Sequence, residues 1–152
     1  MRIEIRRATS SDSDRATALA RRAKAHWGYP AEWLAVWDGE LAITAADIDQ
    51  HRTFVASLDG EGEVIGICQL QEGERGAMLE NVWVDPRHHG RGIGRALVEH
   101  ALSEAQGLIA VVSDPNAEEF YVKLGARRVG KVNAPMPGAP ERTLPLLEFE
   151  RR

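Results

Sequence analysis

The densest chemistry in the sequence lies in Val84-Asp85-Pro86-Arg87-His88-His89-Gly90-Arg91-Gly92-Ile93-Gly94-Arg95-Ala96-Leu97. Glycines at 90, 92 and 94 let a main chain approach a ligand without Cβ clashes. A helix starting here aims the unpaired N–H groups of its first turn, and the positive end of its dipole, at the same point. From Arg87 to Arg95 there are three arginines, two histidines and no acid, so the segment reads as a phosphate cradle. Spacing narrows the choice of phosphate. A triphosphate-binding loop needs Lys and then Ser or Thr after its last glycine, where Arg95-Ala96 stands. The dinucleotide fingerprint fails as well, because its third glycine would fall on Arg95 or Leu97, depending on where the count starts. No metal site is expected, since His88-His89 has no acidic or cysteine partner at ligand spacing.

The elements that must hold this loop follow from periodicity. A strand over residues 77–84 is stopped by Asp85-Pro86, because proline cannot continue a ladder. From Ile93 the apolar residues Ala96, Leu97, Ala101 and Leu102 recur at spacings of three and four, which predicts an amphipathic helix ending near Gly107. A wholly apolar strand is expected over 108–112 and a helix over 116–124 closed by Gly125. Two last strands, 127–132 and 143–150, surround a Pro- and Gly-rich loop. Upstream, Ile3 and Ile5 alternate with Glu4 and Arg6 as in a half-buried strand, and a helix runs from about Ser11-Asp12-Ser13-Asp14 to Ala25. His26-Trp27-Gly28-Tyr29-Pro30 breaks it before short helices over 31–37 and 45–50. Strands over 53–58 and 64–71 then flank a hairpin turn at Asp59-Gly60-Glu61-Gly62.

With no repeat, linker or low-complexity tract, residues 1–152 are expected to form a single α/β domain. Nineteen Lys plus Arg against 23 Asp plus Glu give a net charge of −4, so nucleic acid and anionic membrane are not expected partners. No apolar run has the length of a signal peptide or a membrane span, and the one cysteine, Cys68, has no partner for a disulfide. A soluble, cytoplasmic protein is the expectation.

The register His89-Gly90-Arg91-Gly92-Ile93-Gly94 resembles the signature of the GNAT superfamily of N-acetyltransferases: Gln or Arg, two residues, Gly, one residue, then Gly or Ala. His89 departs from Gln or Arg. A second ordered match, Asp114-Pro115-Asn116-Ala117-Glu118-Glu119-Phe120-Tyr121-Val122-Lys123-Leu124-Gly125, is similar to the family's later helix, which carries an Asn and an aromatic-Tyr pair before a Gly. Ala126 stands where an aromatic often follows. The resemblance implies a central twisted mixed sheet flanked by helices, with two neighbouring strands, here 79–84 and 108–112, splayed apart. It also implies acetyl-CoA as co-substrate, with its pantetheine arm paired to the main chain of Val82, Trp83 and Val84. The pyrophosphate would lie in the cradle formed by Gly90, Arg91, Gly92, Ile93, Gly94 and Arg95, with Asn116 as a polar contact.

The implied reaction moves an acetyl group to a primary amine of a small molecule, amino acid derivative or peptide. The resemblance gives Tyr121 the role of proton donor to the departing thiolate, and its phenol is protonated at neutral pH; packing beside Phe120 is the competing reading. An amine acceptor must lose a proton before attack, and Glu80 is the leading base, with a positioning or solvated carboxylate as the alternative. Strand alternation sends Glu80 to the face opposite Trp83. His26, Trp27 and Tyr29 follow the first helix, where this family often lines the acceptor pocket, and an aromatic wall there could hold a cation. The three tryptophans Trp27, Trp33 and Trp37 also read as core, and His51 and His100 as surface residues. A non-catalytic acyl-CoA sensor is the alternative function, and a monomer or homodimer the expected state.

Overall fold

The computed structural model describes residues 2–59 and 62–149. Its seven strands are β1 (Ile3–Arg7), β2 (Arg52–Leu58), β3 (Gly66–Gly73), β4 (Gly76–Val84), β5 (Leu108–Val112), β6 (Ala126–Asn133) and β7 (Thr143–Phe149). They form one mixed sheet in the order β1-β2-β3-β4-β5-β7-β6. β4 and β5 run parallel, and every other neighbouring pair is antiparallel. The helices are α1 (Ser13–Ala25), α2 (Ala31–Trp37), α3 (Ala45–Gln50), α4 (Ile93–Glu104) and α5 (Glu118–Lys123).

Both faces of the sheet are covered. Ala16, Leu19, Ala20 and Ala23 recur at helical spacing on α1, and the first three of them join Ile48 of α3 against Val55 and Ile67. On the other face, Ile93, Leu97, Val98 and Ala101 of α4 pack with Tyr121 of α5 against Phe54, Cys68, Leu79 and Val111. Asp12 fixes the start of α1. Its buried carboxylate accepts from both terminal nitrogens of Arg6, at 2.8 and 2.9 Å, and from the Thr9 amide at 2.8 Å.

The predicted elements all form, with differences at their ends. α5 starts at Glu118 rather than 116 because Asp114 caps a single 3-10 turn, Pro115–Ala117, ahead of it. α4 closes at Glu104, ahead of Gly107. β3 begins at Gly66, although the Ile65 amide still reaches the Ala56 carbonyl at 2.9 Å. Gly60 and Glu61 of the expected hairpin turn, and Glu150 of the last strand, lie outside the described residues.

Two irregularities in β4 shape the centre of the sheet. Asn81 has φ 52°, and the β3–β4 register slips between Ile67 and Gln69, so that Gln69 faces Glu80 while Ile67 faces Trp83. The parallel pairing of β4 with β5 ends early, at Leu79 opposite Val111. Beyond that point the strands separate.

Candidate active site

The extra residue at Asn81 corrects one expectation directly. Residues opposite each other on paired strands share a face, and Gln69 and Ile67 are two apart on β3. Glu80 and Trp83 therefore lie on the same face, that of α1, instead of opposite faces as strict alternation requires. A bulge resets the period by one residue.

Where β4 and β5 part, a cleft of about 590 Å³ opens. Lys24, Trp27, Trp37, Glu40, Glu80 and Trp83 line it from the α1 side, while Gly94, Phe120 and Tyr121 line it from the α4 side. It thus passes through the gap in the sheet. Of the sequence-predicted residues, Glu80, Val82, Trp83, Val84, His89, Gly90, Gly92, Ile93, Gly94, Arg95, Asn116, Tyr121 and Trp27 all border this one cavity. Arg91, His26 and Tyr29 do not.

The glycine loop divides its labour. Gly90 and Gly92 have φ of 78° and 80°, a region closed to most side chains, and Gly92 is the left-handed N-cap of α4. A Cβ at either would meet nothing within 4 Å, so backbone conformation is what requires glycine there. Gly94 is different: a Cβ there would come within 3.2 Å of Phe120, so this glycine lets α4 pack on α5. The first helical hydrogen bond runs from the Ala96 amide to the Gly92 carbonyl, which leaves the amides of Ile93, Gly94 and Arg95 without a helical acceptor at the cleft wall. This main-chain cradle fits an anionic phosphate group.

Its side-chain charge is smaller than the arginine count suggests. Arg87 is clamped to the buried Asp85 at 2.8 Å and to Glu63 at 3.2 Å, so it serves the fold and not a ligand. Asp85 in turn caps the 3-10 turn Pro86–His88, and hydrogen bonding from Arg87 holds its carboxyl far below the usual range. Arg95 pairs with Glu99 at 2.8 Å on an exposed helix turn. His89 turns its ring back on the end of β4, with Nε2 3.3 Å from the Val84 carbonyl. There it meets the His26 ring at 5.1 Å and stacks near Trp27 at 6.2 Å, forming a rim beside the loop.

Tyr121 is 5% exposed, packed against Phe120 and Phe149, and is one of the residues that border the cleft. Burial, and then the nearby Cys68, Glu80 and Asp114, push the phenol well above its usual range. It keeps its proton throughout neutral pH. Burial also raises Glu80 above the ordinary carboxylate range, which makes it a better proton acceptor once ionised.

A hydrogen-bonded cluster at the end of β5 was not legible in the sequence. Asp114 accepts from Lys24 Nζ at 2.9 Å, from the Tyr29 hydroxyl at 2.8 Å and from the Asn116 amide and side chain. Burial pushes Asp114 up, but the hydrogen bond from Lys24 and that from the Asn116 amide outweigh it and hold the carboxyl below its usual range. Asn116 Nδ2 is spent on Asp114 and Tyr29, so its side-chain carbonyl is the atom left to accept from a ligand. Tyr29 is likewise a support of the site: burial, and then Asp114, push its phenol up to about 12. Residues 24 and 114 are too far apart in the chain for any local pattern to announce the pair.

None of the three tryptophans belongs to the fully buried core. Trp27 is 40% exposed, and Trp33 and Trp37 are half-buried with Tyr29 in an aromatic cluster. Lys24 lies 4.1 Å over Trp37, and the Arg142 guanidinium lies 5.3 Å from the rings of both Trp33 and Trp37. Trp33 Nε1 also donates to the Pro137 carbonyl at 2.7 Å, tying α2 to the loop between β6 and β7. His51 and His100 are half-buried at the surface, the latter edge-on to Phe54 at 4.8 Å. Among the described residues no group of three or more His, Cys, Asp or Glu is placed to hold a metal, and no helix is long and apolar enough to cross a membrane.

Comparison with known proteins agrees with this geometry. Residues 13–126 match the model of the acetyltransferase (GNAT) family. A peptidyl-lysine N-acetyltransferase of Salmonella typhimurium, YjaB, is 28% identical over 97% of this chain and 99% of its own length. Among solved structures, a GCN5-related N-acetyltransferase from Rhodopseudomonas palustris superposes with TM-score 0.82 at 18% identity, covering 99% of this chain and 97% of that one. The PaiA N-acetyltransferase of Thermoplasma acidophilum, solved in complex with coenzyme A, superposes with TM-score 0.77 at 18% identity over 99% and 100%.

Proposed function

This chain belongs to the acetyltransferase (GNAT) family, and from that premise we propose that it acetylates lysine side chains of proteins or peptides with acetyl-CoA as donor, residues 1–152 acting as one catalytic domain. The observation that carries the reading is the cleft between the parted strands β4 and β5, which joins the glycine cradle to Glu80 and Tyr121. The name of the Salmonella relative supports lysine as acceptor.

Acetyl-CoA supplies an activated thioester. The main-chain amides of the Gly90–Arg95 loop hold its pyrophosphate, and the main chain of Val82, Trp83 and Val84, past the end of its pairing with β5, pairs with the pantetheine amides as an added strand would, with His89 releasing the Val84 carbonyl. Asn116 accepts a hydrogen bond from that arm through its free carbonyl. The acceptor enters from the α1 side, past Trp27, Trp37 and Glu40, where Glu40 and Glu80 give the wall a negative character.

Glu80 takes one proton from the acceptor ammonium, directly or through a water, and leaves a neutral nucleophile. Tyr121 donates from its hydroxyl to the sulfur as the carbon–sulfur bond breaks. Because burial makes this phenol a reluctant acid, the second proton of the attacking nitrogen replaces the one it gives. The count closes with an amide, a thiol and one proton released to solvent from Glu80. Two such groups bordering one cavity favour a catalyst over a sensor that only binds acyl-CoA.

The test is mass spectrometry and thiol release with three acceptors: an end-blocked peptide with one lysine, a lysine-free peptide with a free N-terminus, and a polyamine. Acetylation of the blocked lysine peptide is the expected result. Transfer confined to the α-amine or the polyamine would overturn the lysine assignment, and coenzyme A binding without turnover on any amine would overturn catalysis.

A further inference from the structure

A chain of polar side chains, buried at Gln69 and Thr53 and half-buried toward the cleft, crosses three strands. Trp83 Nε1 donates to Asn81 Oδ1 at 3.3 Å, and Asn81 Nδ2 donates to Gln69 Oε1 at 3.3 Å. The same oxygen accepts from Gln71 Nε2 at 3.1 Å. Gln69 Nε2 then donates to Thr53 Oγ1 at 3.1 Å, and Thr53 ends the chain on the His51 carbonyl at 2.9 Å. Gln69 and Thr53 are both 0% exposed. An apolar pair would fill the same space in a sheet interior without the demand that every polar atom find a partner, so a satisfied relay here marks a place where geometry is specified.

What it specifies is the bulge. Asn81 is one of two described residues other than glycine with positive φ, a strained conformation that persists only where surrounding contacts over-determine it. Both polar ends of its side chain are held, one by Gln69 and one by Trp83. Gln69 lies directly opposite Glu80 in the ladder, and Glu80 precedes the strained residue. The orientation of Glu80 is therefore set from two directions, by the backbone turn at Asn81 and by the cross-strand neighbour that pins it.

We propose that Gln69 and Asn81 are positioning residues that hold Glu80 at the cleft, so that the carboxylate meets the acceptor amine at the point where β4 leaves β5. The proposal rests on the reading of Glu80 as the proton acceptor. Gln69 is buried away from the cleft and Asn81 borders it, but both polar ends of the Asn81 side chain are spent on Gln69 and Trp83, so both residues act through Glu80.

Asn81→Gly separates the backbone from the side chain, because glycine accepts positive φ without strain while the relay loses its middle member. Gln69→Met removes the relay and leaves residue 81 untouched. Each is measured for coenzyme A affinity by calorimetry and for kcat with the end-blocked lysine peptide, alone and combined with Glu80→Gln. The expected result is unchanged coenzyme A affinity, with kcat lowered by about tenfold or more, within the ~10²-fold that a misplaced reacting group can cost. In the Glu80→Gln background neither substitution should lower kcat further, which a general weakening of the fold would not reproduce. Full kcat in Asn81→Gly, or the same proportional loss with and without Glu80, overturns the proposal. Should Glu80→Gln itself turn over at the parent rate, the proton-acceptor reading falls, a pattern distinct from a slow Glu80→Gln with an intact Asn81→Gly. If Gln69→Met fails to fold, Asn81→Gly decides, since it relieves backbone strain.

Discussion

Tyr121 and Glu80 border the same cavity, yet burial acts on them in opposite functional senses. It keeps the phenol protonated and makes the carboxylate more eager for a proton. Tyr121→Phe retains the packing against Phe120 and Phe149 but removes the hydroxyl. Coenzyme A affinity should stay at the parent value while single-turnover acetyl transfer falls by ~10²-fold or more. A parent rate in a folded variant would return Tyr121 to a packing role. Because burial raises Glu80 in the folded state, the folded protein binds the proton more tightly than the unfolded chain, so ionised Glu80 costs stability at neutral pH. Glu80→Gln should therefore be more stable than the parent at pH 7 in urea unfolding, and the gap should close as pH falls toward the ordinary Glu range near ~4.3. Its turnover should also lack the acidic limb that titration of Glu80 gives the parent. Tyr121 was legible because a motif surrounds it, whereas the face of Glu80 was not, because the bulge that sets it is made by contacts on another strand.

At the scale of elements, the loop before α4 and the turn after β5 frame the two ends of the site, and each is closed by an Asp-Pro pair whose aspartate caps a 3-10 turn. Gly92→Ala meets no neighbouring atom, so its expected cost is that of left-handed backbone alone, roughly 1–2 kcal/mol in thermal or urea unfolding. Gly92→Asp adds a negative charge at the cradle and should weaken acetyl-CoA binding beyond what Gly92→Ala does. Equal affinities for the two variants would remove the pyrophosphate from this loop. Asp114→Ala leaves Lys24 beneath the cleft without its carboxylate and frees Tyr29 and Asn116 together. A loss of about 1–3 kcal/mol is expected on unfolding, with weaker coenzyme A binding as Asn116 loses its fixed orientation. An Asp114→Ala protein of parent stability would show that the cluster does not tie α1 to the end of β5.

Across the whole molecule the cleft differs in charge between its two ends, with Arg95 near the glycine loop and Glu40 and Glu80 on the α1 side, where Lys24 is paired with Asp114. That polarity suits an anionic donor at one mouth and a cationic acceptor at the other, on a chain of net charge −4 that has no general attraction for phosphates. A donor held by both halves of the parted sheet must stabilise the fold as it binds. Acetyl-CoA at about 100 times its dissociation constant should add ~2.7 kcal/mol to unfolding stability. The gain should shrink with added salt, because the loop arginines Arg91 and Arg95 are exposed to screening. No shift in melting temperature at millimolar acetyl-CoA would argue against the cleft as its site.

Local periodicity and turn chemistry determined the element order and the glycine cradle, because each depends on residues within a few positions of one another. Helical spacing in α4, the stop at Asp85-Pro86 and the glycines at 90, 92 and 94 are all of this kind. Only the tertiary structure decided which arginines are free, which face Glu80 occupies and what supports Asn116. Arg87 is taken by Asp85 and Glu63, Glu80 is turned by a bulge pinned from β3, and Asn116 is held through Tyr29 and Lys24 from the far end of the chain. Each of these depends on competition between partners that meet only when strands and helices pack, and the spacing of residues along one chain carries no record of that meeting.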